Sequence, residues 1–390
     1  MFDVYGPVSP ALHIAKVIAE RKHKVLIVST RISDDVKKLL KSNSLEFIDL
    51  NASTIIKSGP PFSWLESWTR EAFFNLNSKG FNPEGGVVVN FSHTIATPST
   101  VWYVQGPTTD FLSDAEHEFL MYYRLAYKIL KPLLTYADNR LVRRMASMSK
   151  LIIANSKFCA SMYEKRGIRV HNIIYPPLDC GVFKPASTPS CNYVLTYFGK
   201  ETEFFVLKKI GDAGVKIKAF GSKIPYVPKG LLKHRNIEFL GKVSDEELVN
   251  LYSNAIFTLF SFTHEPFGYI SVESMACGTP VLTYNRQGPS ETVVNGVTGW
   301  LANTPEEIAR LTIKIWRSGY SSTMRKEARK RALFFNVERI AKKWLQVVEE
   351  NASYQRSKLY KSQSPSPYYP RPQQRYFLGW TTSCDASGKI

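Results

Sequence analysis

Ile256-Phe-Thr-Leu-Phe260, Ser261-Phe-Thr-His-Glu265-Pro-Phe-Gly268, Tyr269-Ile-Ser-Val-Glu273-Ser-Met-Ala-Cys277, Gly278-Thr-Pro280 and Val281-Leu-Thr283 follow one another in unbroken order. The first and last runs are short, apolar and bounded by turn residues, the pattern of buried strands. The run from Tyr269 to Cys277 reads as a helix that stops at Gly278. Strand, loop, helix and strand in so short a span imply two parallel strands joined by a crossover helix. A helix that begins just past the carboxyl end of a parallel strand presents unpaired N–H groups and a positive dipole end. That end attracts phosphate or sugar oxygens. Glu265 stands in the loop at the mouth and Glu273 about one helical turn in. Two acceptor carboxylates at different depths suit hydroxyls on two parts of one ligand. The spacing itself says little, because Glu238 and Glu246 are separated in the same way. The surrounding sequence carries the information.

Outward from this segment the same alternation continues. Val25–Ser29, Val87–Asn90, Leu151–Ala154, Tyr193–Tyr197 and Val215–Phe220 read as further buried strands. Pro10–Arg21 and Asp245–Ser253 read as helices. Repeated strand–helix–strand order predicts an α/β architecture with parallel sheets covered on both faces. The best internal boundary is Tyr175-Pro-Pro-Leu-Asp-Cys-Gly-Val-Phe-Lys-Pro185, whose adjacent prolines continue neither a helix nor a central strand. One α/β domain is expected over 1–180 and a second over 181–350. A last helix, Asn336–Glu350, carries Ile340, Ala341, Trp344, Leu345 and Val348 on one stripe and is expected to cross back to the first domain. Beyond it, 351–390 is basic and rich in proline and tyrosine, and composition alone predicts a disordered or loosely docked tail.

A length of 390 residues suits two domains at about 150 residues each. The 51 basic residues against 33 acidic give a net charge of +18, which points to anionic partners: nucleic acid, an anionic membrane face or phosphorylated substrates. The 5 cysteines are far apart and form no Cys-x-x-Cys pair, so neither a zinc site nor a disulfide framework is expected. They fit a reducing compartment. No apolar run is long enough to span a bilayer, and no basic-then-apolar leader opens the chain. The glycines never fall into Gly-x-Gly-x-x-Gly or the Walker spacing, and Gly-x-Ser-x-Gly is absent. A nicotinamide dehydrogenase, a P-loop NTPase and an α/β hydrolase are thereby disfavoured.

The Glu265–Glu273 segment resembles the Glu-x7-Glu motif of retaining family-4 glycosyltransferases, which have the two-domain GT-B fold. Gly288-Pro-Ser-Glu291, Asn295-Gly-Val-Thr-Gly299-Trp-Leu301, Ala154-Asn-Ser156, the linker Ile174–Asp179 with Phe183-Lys-Pro185, and Leu240–Leu248 resemble further motifs of that family. The resemblance is dense from Leu151 to Leu301. It implies two Rossmann-like domains facing across a cleft and transfer of a hexose from a UDP- or GDP-sugar to an acceptor hydroxyl with retained configuration. By the same resemblance Glu273 binds the donor ribose and Glu265 contacts the donor sugar. Backbone N–H groups of Phe267, Gly268 and Tyr269 lie near it, and Leu240–Leu248 reads the base. The leaving diphosphate itself takes the acceptor's proton, so neither a protein nucleophile nor a metal or other cofactor is implied.

The family's phosphate grip is thinner here. Gly199 is followed by Lys200 where the family has Gly-Arg, and a point charge replaces a bidentate fork. Lys208 and Lys209 stand as candidates for the second cation. In the first domain, Gly6 alone stands for the glycine-rich loop. His93 ends a strand, where ligands collect in open α/β sheets, and matches the family's active-site histidine. Position alone fits equally a histidine that caps a turn. His264 is an alternative, and His13 is read as structural.

Residues 140–170 are strongly basic, and Met121–Lys131 interleaves aromatics with cations. This is either a solvated helix face with core aromatics or a surface for anionic lipid, suiting a lipid-linked acceptor. No nucleic-acid-binding motif accompanies it, so nucleic acid is not the expected partner. The expected setting is cytoplasmic, with peripheral contact at the inner membrane face. Two rival functions are weighed: a nucleotide-sugar epimerase of the same fold, and a non-catalytic polyanion-binding protein on a transferase scaffold.

Overall fold

Alternating strands and helices build two parallel sheets, and a strand from beyond the second returns to the interior of the first. The computed structural model describes residues 9–29, 32–50, 60–76, 86–114, 116, 121–186, 192–199, 202–221, 227–362 and 375–380. The first half holds α1 (Ser9–Glu20), β1 (Lys24–Ser29), α2 (Asp34–Ser42), β2 (Glu46–Asp49), α3 (Pro60–Phe74) and β3 (Val88–Asn90). It continues through β4 (Ser99–Val104), α4 (Thr108–Asp114), α5 (Met121–Ser147), β5 (Ser149–Ala154), α6 (Lys157–Glu164) and β6 (Asn172–Ile173). The second half opens with β7 (Val194–Phe198), α7 (Phe204–Asp212), β8 (Ile217–Gly221), α8 (Lys229–Leu232), β9 (Ile237–Gly241) and α9 (Asp245–Asn254). It goes on with β10 (Thr258–Phe260), α10 (Tyr269–Ala276), β11 (Val281–Tyr284), α11 (Pro289–Thr292), β12 (Gly299–Ala302), α12 (Pro305–Ser318) and α13 (Thr323–Ala332). The last described elements are α14 (Val337–Ser362) and β13 (Arg375–Trp380).

The second sheet runs β12-β11-β10-β7-β8-β9, all parallel. Its order reverses direction at β7–β10, so the carboxyl ends of these two strands splay their loops apart and leave a crevice. The first sheet runs β2-β1-β13-β3-β4-β5-β6, again parallel. The interior strand β13 corrects the compositional expectation for the tail. Arg375–Trp380 pairs with all of β1 on one side and with β3 on the other. Backbone pairing needs only N–H and C=O groups in register, and composition carries no record of it.

Local chemistry explains the helices that frame the crevice. Ser244 and Glu247 form a capping box that starts α9, and three acidic residues fill its first turn. α10 is buried nearly all round, with Ser271, Val272, Ser274, Met275 and Ala276 inside. Ser274 Oγ satisfies itself on Thr258 Oγ1 at 2.7 Å and on Thr279 O at 2.9 Å. The carbonyls left open at the ends of α9 and α10 are taken by α13: Arg325 donates to Ser253 O and Arg329 to Ala276 O, each at 2.7 Å. These arginines pin the helix that carries Glu273.

The chain passes between the two sheets twice, side by side. Leu178 N donates to Phe335 O and Val337 N to Leu178 O. α14 then packs on the first sheet, where Trp344 is fully buried against Phe91 and Tyr103, with ring centroids 5.6 and 5.2 Å away. Among the described residues, no helix is long and apolar enough to cross a membrane.

Candidate active site at the facing sheet edges

α10 lacks a Ser, Thr or Asp at its start. Gly268 occupies that position in the left-handed region (φ 92°), and a Cβ there would stand 2.9 Å from Pro289. The left-handed turn brings the first amides of the helix back over the preceding loop. Glu265 Oε1 accepts from Phe267 N at 3.2 Å and from Gly268 N at 3.0 Å. Two of the three amides expected to serve a ligand are therefore held by Glu265 itself. The physical reason is the dipole: an anionic side chain three residues upstream is the nearest charge that can satisfy them. The Phe267 ring is core, packed on Tyr175, Tyr269 and Phe335.

Glu273 lies one turn deeper. Tyr252 Oη, from α9, donates to its Oε2 at 3.0 Å. Burial pushes its carboxyl up from the ordinary 4.5 to about 7, and the nearby charges of Asp245 and Glu265 add to the rise against the Tyr252 bond. Asp245 belongs to the first turn of α9, so the β9–α9 loop stands beside Glu273. Tyr269 senses both glutamates, and its phenol is raised well above its usual range by burial first and then by them.

A second loop braces the first. Gly288 N donates to Glu265 O at 3.0 Å, and a Cβ on Gly288 would fall 2.3 Å from Pro266 O and 2.4 Å from Phe267 N. Gln287, also left-handed (φ 56°), accepts from Glu265 N at 2.6 Å and donates to Asp114 Oδ2 at 3.0 Å. Asp114 belongs to α4 of the first domain, and the same oxygen meets His264 Nδ1 at 2.7 Å. His264, 5% exposed, is edged by Phe111 and Phe158. It therefore joins the two domains. Nothing in the sequence marked Gln287 or Asp114, whose pairing exists only once both domains are folded.

Glu291 makes a second bridge. Its Oε2 accepts from Lys157 N at 2.9 Å and its Oε1 from Phe158 N at 2.7 Å, so one domain's carboxylate caps the other's helix α6. Tyr175 Oη donates to the same Oε2 at 2.9 Å.

His93 sits in the loop after β3, on the first sheet's carboxyl edge. Burial lowers its imidazole to about 4, against a smaller opposing pull from Asp138, so it is neutral at neutral pH. That loop is knit by Asn90 Nδ2 to Ile95 O at 2.9 Å and Ser92 N to Asn90 Oδ1 at 2.8 Å. Gly199 follows β7 and its N–H donates to Thr202 Oγ1 at 2.9 Å; a Cβ there would collide with the Tyr197 ring. Gly6 and Lys200 lie outside the described residues. Lys208 pairs with Asp212 at 2.8 Å along α7, and Lys209 is exposed on the same helix. His13 is in α1, where burial lowers its pKa. Near the glutamates, the hydroxyls of Ser261, Thr263 and Ser271 are buried with no hydrogen-bond partner. Ser261 and Thr263 follow β10 and Ser271 lies in the first turn of α10.

Comparison with known proteins places these features in a recognisable setting. Residues 229–332 match the family model described as glycosyl transferases group 1. A probable sucrose-phosphate synthase of Thermosipho melanesiensis is 37% identical over 119 residues, which is 29% of this chain and 27% of that protein. An uncharacterized glycosyltransferase of Methanocaldococcus jannaschii is 28% identical over 180 residues, 43% of this chain and 50% of its own. The chain thus spans half or less of the length of these curated relatives. Among solved structures, Anabaena HepE in complex with UDP and glucose superposes with a TM-score of 0.64 at 16% identity, covering 90% of this chain and 97% of that one. The fold is GT-B, as the motifs implied.

Proposed function

We propose that this protein is a retaining glycosyltransferase that takes a hexose from a UDP- or GDP-sugar and passes it to a hydroxyl of a glycan or lipid-linked acceptor. The carrying observation is the Glu265–Glu273 arrangement: two acceptor carboxylates at two depths beside a helix N-terminus, on the sheet edge that faces the other domain. The group 1 match over the same residues supports it, and so does a GT-B neighbour whose structure contains UDP and glucose.

In this reading Glu273 accepts the ribose hydroxyls, with the β9–α9 loop beside it on the base. The diphosphate lies over the start of α10, where the Tyr269 amide, which Glu265 does not hold, and the helix dipole stabilise its charge as it leaves. Glu265 holds the loop and contacts the donor sugar. Buried hydroxyls of Ser261, Thr263 and Ser271 offer further partners for donor oxygens. His93, neutral and on the opposing edge, contacts the sugar from the acceptor side. Gly6, Gly199 and Lys200 complete the phosphate contacts. Catalysis is positioning plus charge stabilisation, with the leaving diphosphate taking the acceptor proton, and no metal is invoked. Peripheral contact with the inner membrane face suits a lipid-linked acceptor.

The test is release of nucleoside diphosphate from a panel of UDP-, GDP- and ADP-sugars, wild type against Glu273→Ala. Release from one donor, with kcat/KM lowered at least about a hundredfold in the variant, is expected. Absence of both turnover and binding for every donor overturns the reading.

A further inference from the structure

α5 divides its faces unusually. Its second half buries Ala137, Leu141, Val142 and Met145 in the first domain's core. Its first half buries Tyr127 and turns large apolar side chains to water: Met121 is 85% exposed, Ile129 71% and Tyr136 68%, with Leu125 and Leu133 exposed between them. At about 100° per residue these five fall within one third of the helix circumference, so they form a stripe rather than scattered exposures. An apolar stripe several turns long is rare on a surface that meets only water.

Charge says what covers it. α5 carries Arg124, Lys128, Lys131, Arg140, Arg143 and Arg144 against Asp138 alone, in a chain of net charge +18. Lys128 and Lys131 border the stripe with side chains 60% and 43% exposed and share Glu116 at 3.7 and 3.5 Å, so together they leave one net positive charge, and exposed Arg143 continues the line of the stripe with a second. An apolar band rimmed by tyrosines and long cations matches the boundary between lipid headgroups and acyl chains. A second copy of the same face would oppose like charges. We propose that the Met121–Tyr136 face of α5 docks this protein on an anionic lipid bilayer.

The position suits the chemistry. Ser113 and Tyr127 share a 2.9 Å hydrogen bond that ties α5 to α4, and Asp114 of α4 holds His264 and Gln287 beside Glu265. The docking face is thus one helix away from the donor loop. Docking stands on the surface alone; that it delivers a lipid-linked acceptor to the cleft rests on the transferase reading above.

The experiment is flotation of the full chain with vesicles of phosphatidylcholine alone or with about one third phosphatidylglycerol. The wild type is expected to float with the anionic vesicles and about tenfold less with neutral ones. Leu125→Ser combined with Ile129→Ser is expected to lose at least about tenfold in partitioning, and Lys128→Glu with Arg143→Glu to lose the anionic preference. Each variant must keep the wild-type circular dichroism and its affinity for UDP or GDP. Failure of the wild type to float, or flotation of the serine variant equal to wild type, overturns the proposal. So does a wild-type dimer in light scattering that the serine variant makes monomeric, which assigns the face to a second copy. Flotation with neither turnover nor binding of any donor in the panel leaves the docking face standing and removes the transferase reading.

Discussion

Glu273 is under opposite demands from stability and from binding. Folded, its carboxyl titrates near 7 instead of 4.5, so the fold favours the neutral form. Its stabilising contribution is therefore fully present below about pH 4.5 and is lost as pH rises through about 7. In the proposed role donor binding asks the reverse, because ribose hydroxyls donate best to a carboxylate, so affinity is expected to fall as pH drops below 7. Glu273→Gln keeps an acceptor for Tyr252 and removes the charge. At about pH 8 the variant should be more stable than wild type by about 1–2 kcal/mol, a value reduced for the partly wet cleft edge. Below pH 4.5 the two should coincide. Calorimetry across this range checks the stability, and titration with UDP or GDP should show at least about a tenfold loss of affinity at pH 8. A variant less stable than wild type at pH 8 would contradict the burial argument. The placement of the two glutamates, one in the loop and one in the helix after β10, was legible in sequence because their flanking residues are distinctive. The capture of Phe267 and Gly268 amides by Glu265 was not, since it depends on the left-handed backbone at Gly268.

Among the elements, α6 shows how one domain completes another. Ser156 caps it locally on Cys159 N at 2.9 Å, and Glu291 from the second domain takes the amides of Lys157 and Phe158. Glu291→Ala removes a charge from a helix N-terminus and leaves two amides to water, at a cost of about 1–2 kcal/mol. Because the contact spans the domains, the loss should show as weaker coupling between them. Calorimetry should separate one transition into two, and solution scattering should show a broader range of domain separations that UDP narrows again. A single transition at the wild-type temperature would rule out a clamp. Glu291 stood out in the sequence, but as part of a local motif; its partners are more than a hundred residues away. α5 gives the same lesson. Its mixture of aromatics and cations fits a core helix as well as a surface one, and only the packing shows which residues face outward.

For the whole molecule, the decisive feature is β13. Removing residues from 363 onward takes an interior strand from the first sheet and leaves β1 and β3 each with an unpaired edge. The second sheet takes no strand from the tail. The truncated chain should therefore lose the stability of its first domain, aggregate through the opened edges and still bind the donor nucleotide weakly. Limited proteolysis should leave a protected fragment from the second half. Full stability after truncation would show that the sheet does not depend on this strand. By itself the sequence determined the alternation of strands and helices, the linker near Tyr175 and the loop–helix segment that carries Glu265 and Glu273. These are local: apolar periodicity, proline and glycine punctuation, and short motifs act within a few residues. Only the tertiary structure decided that Arg375–Trp380 lies inside the first sheet, that Asp114, His264, Gln287 and Glu291 join the domains, and that the apolar stripe of α5 faces out. Each of these is a pairing between segments distant in the chain, set by backbone register and by which surfaces remain after the core is filled, and no local pattern records either.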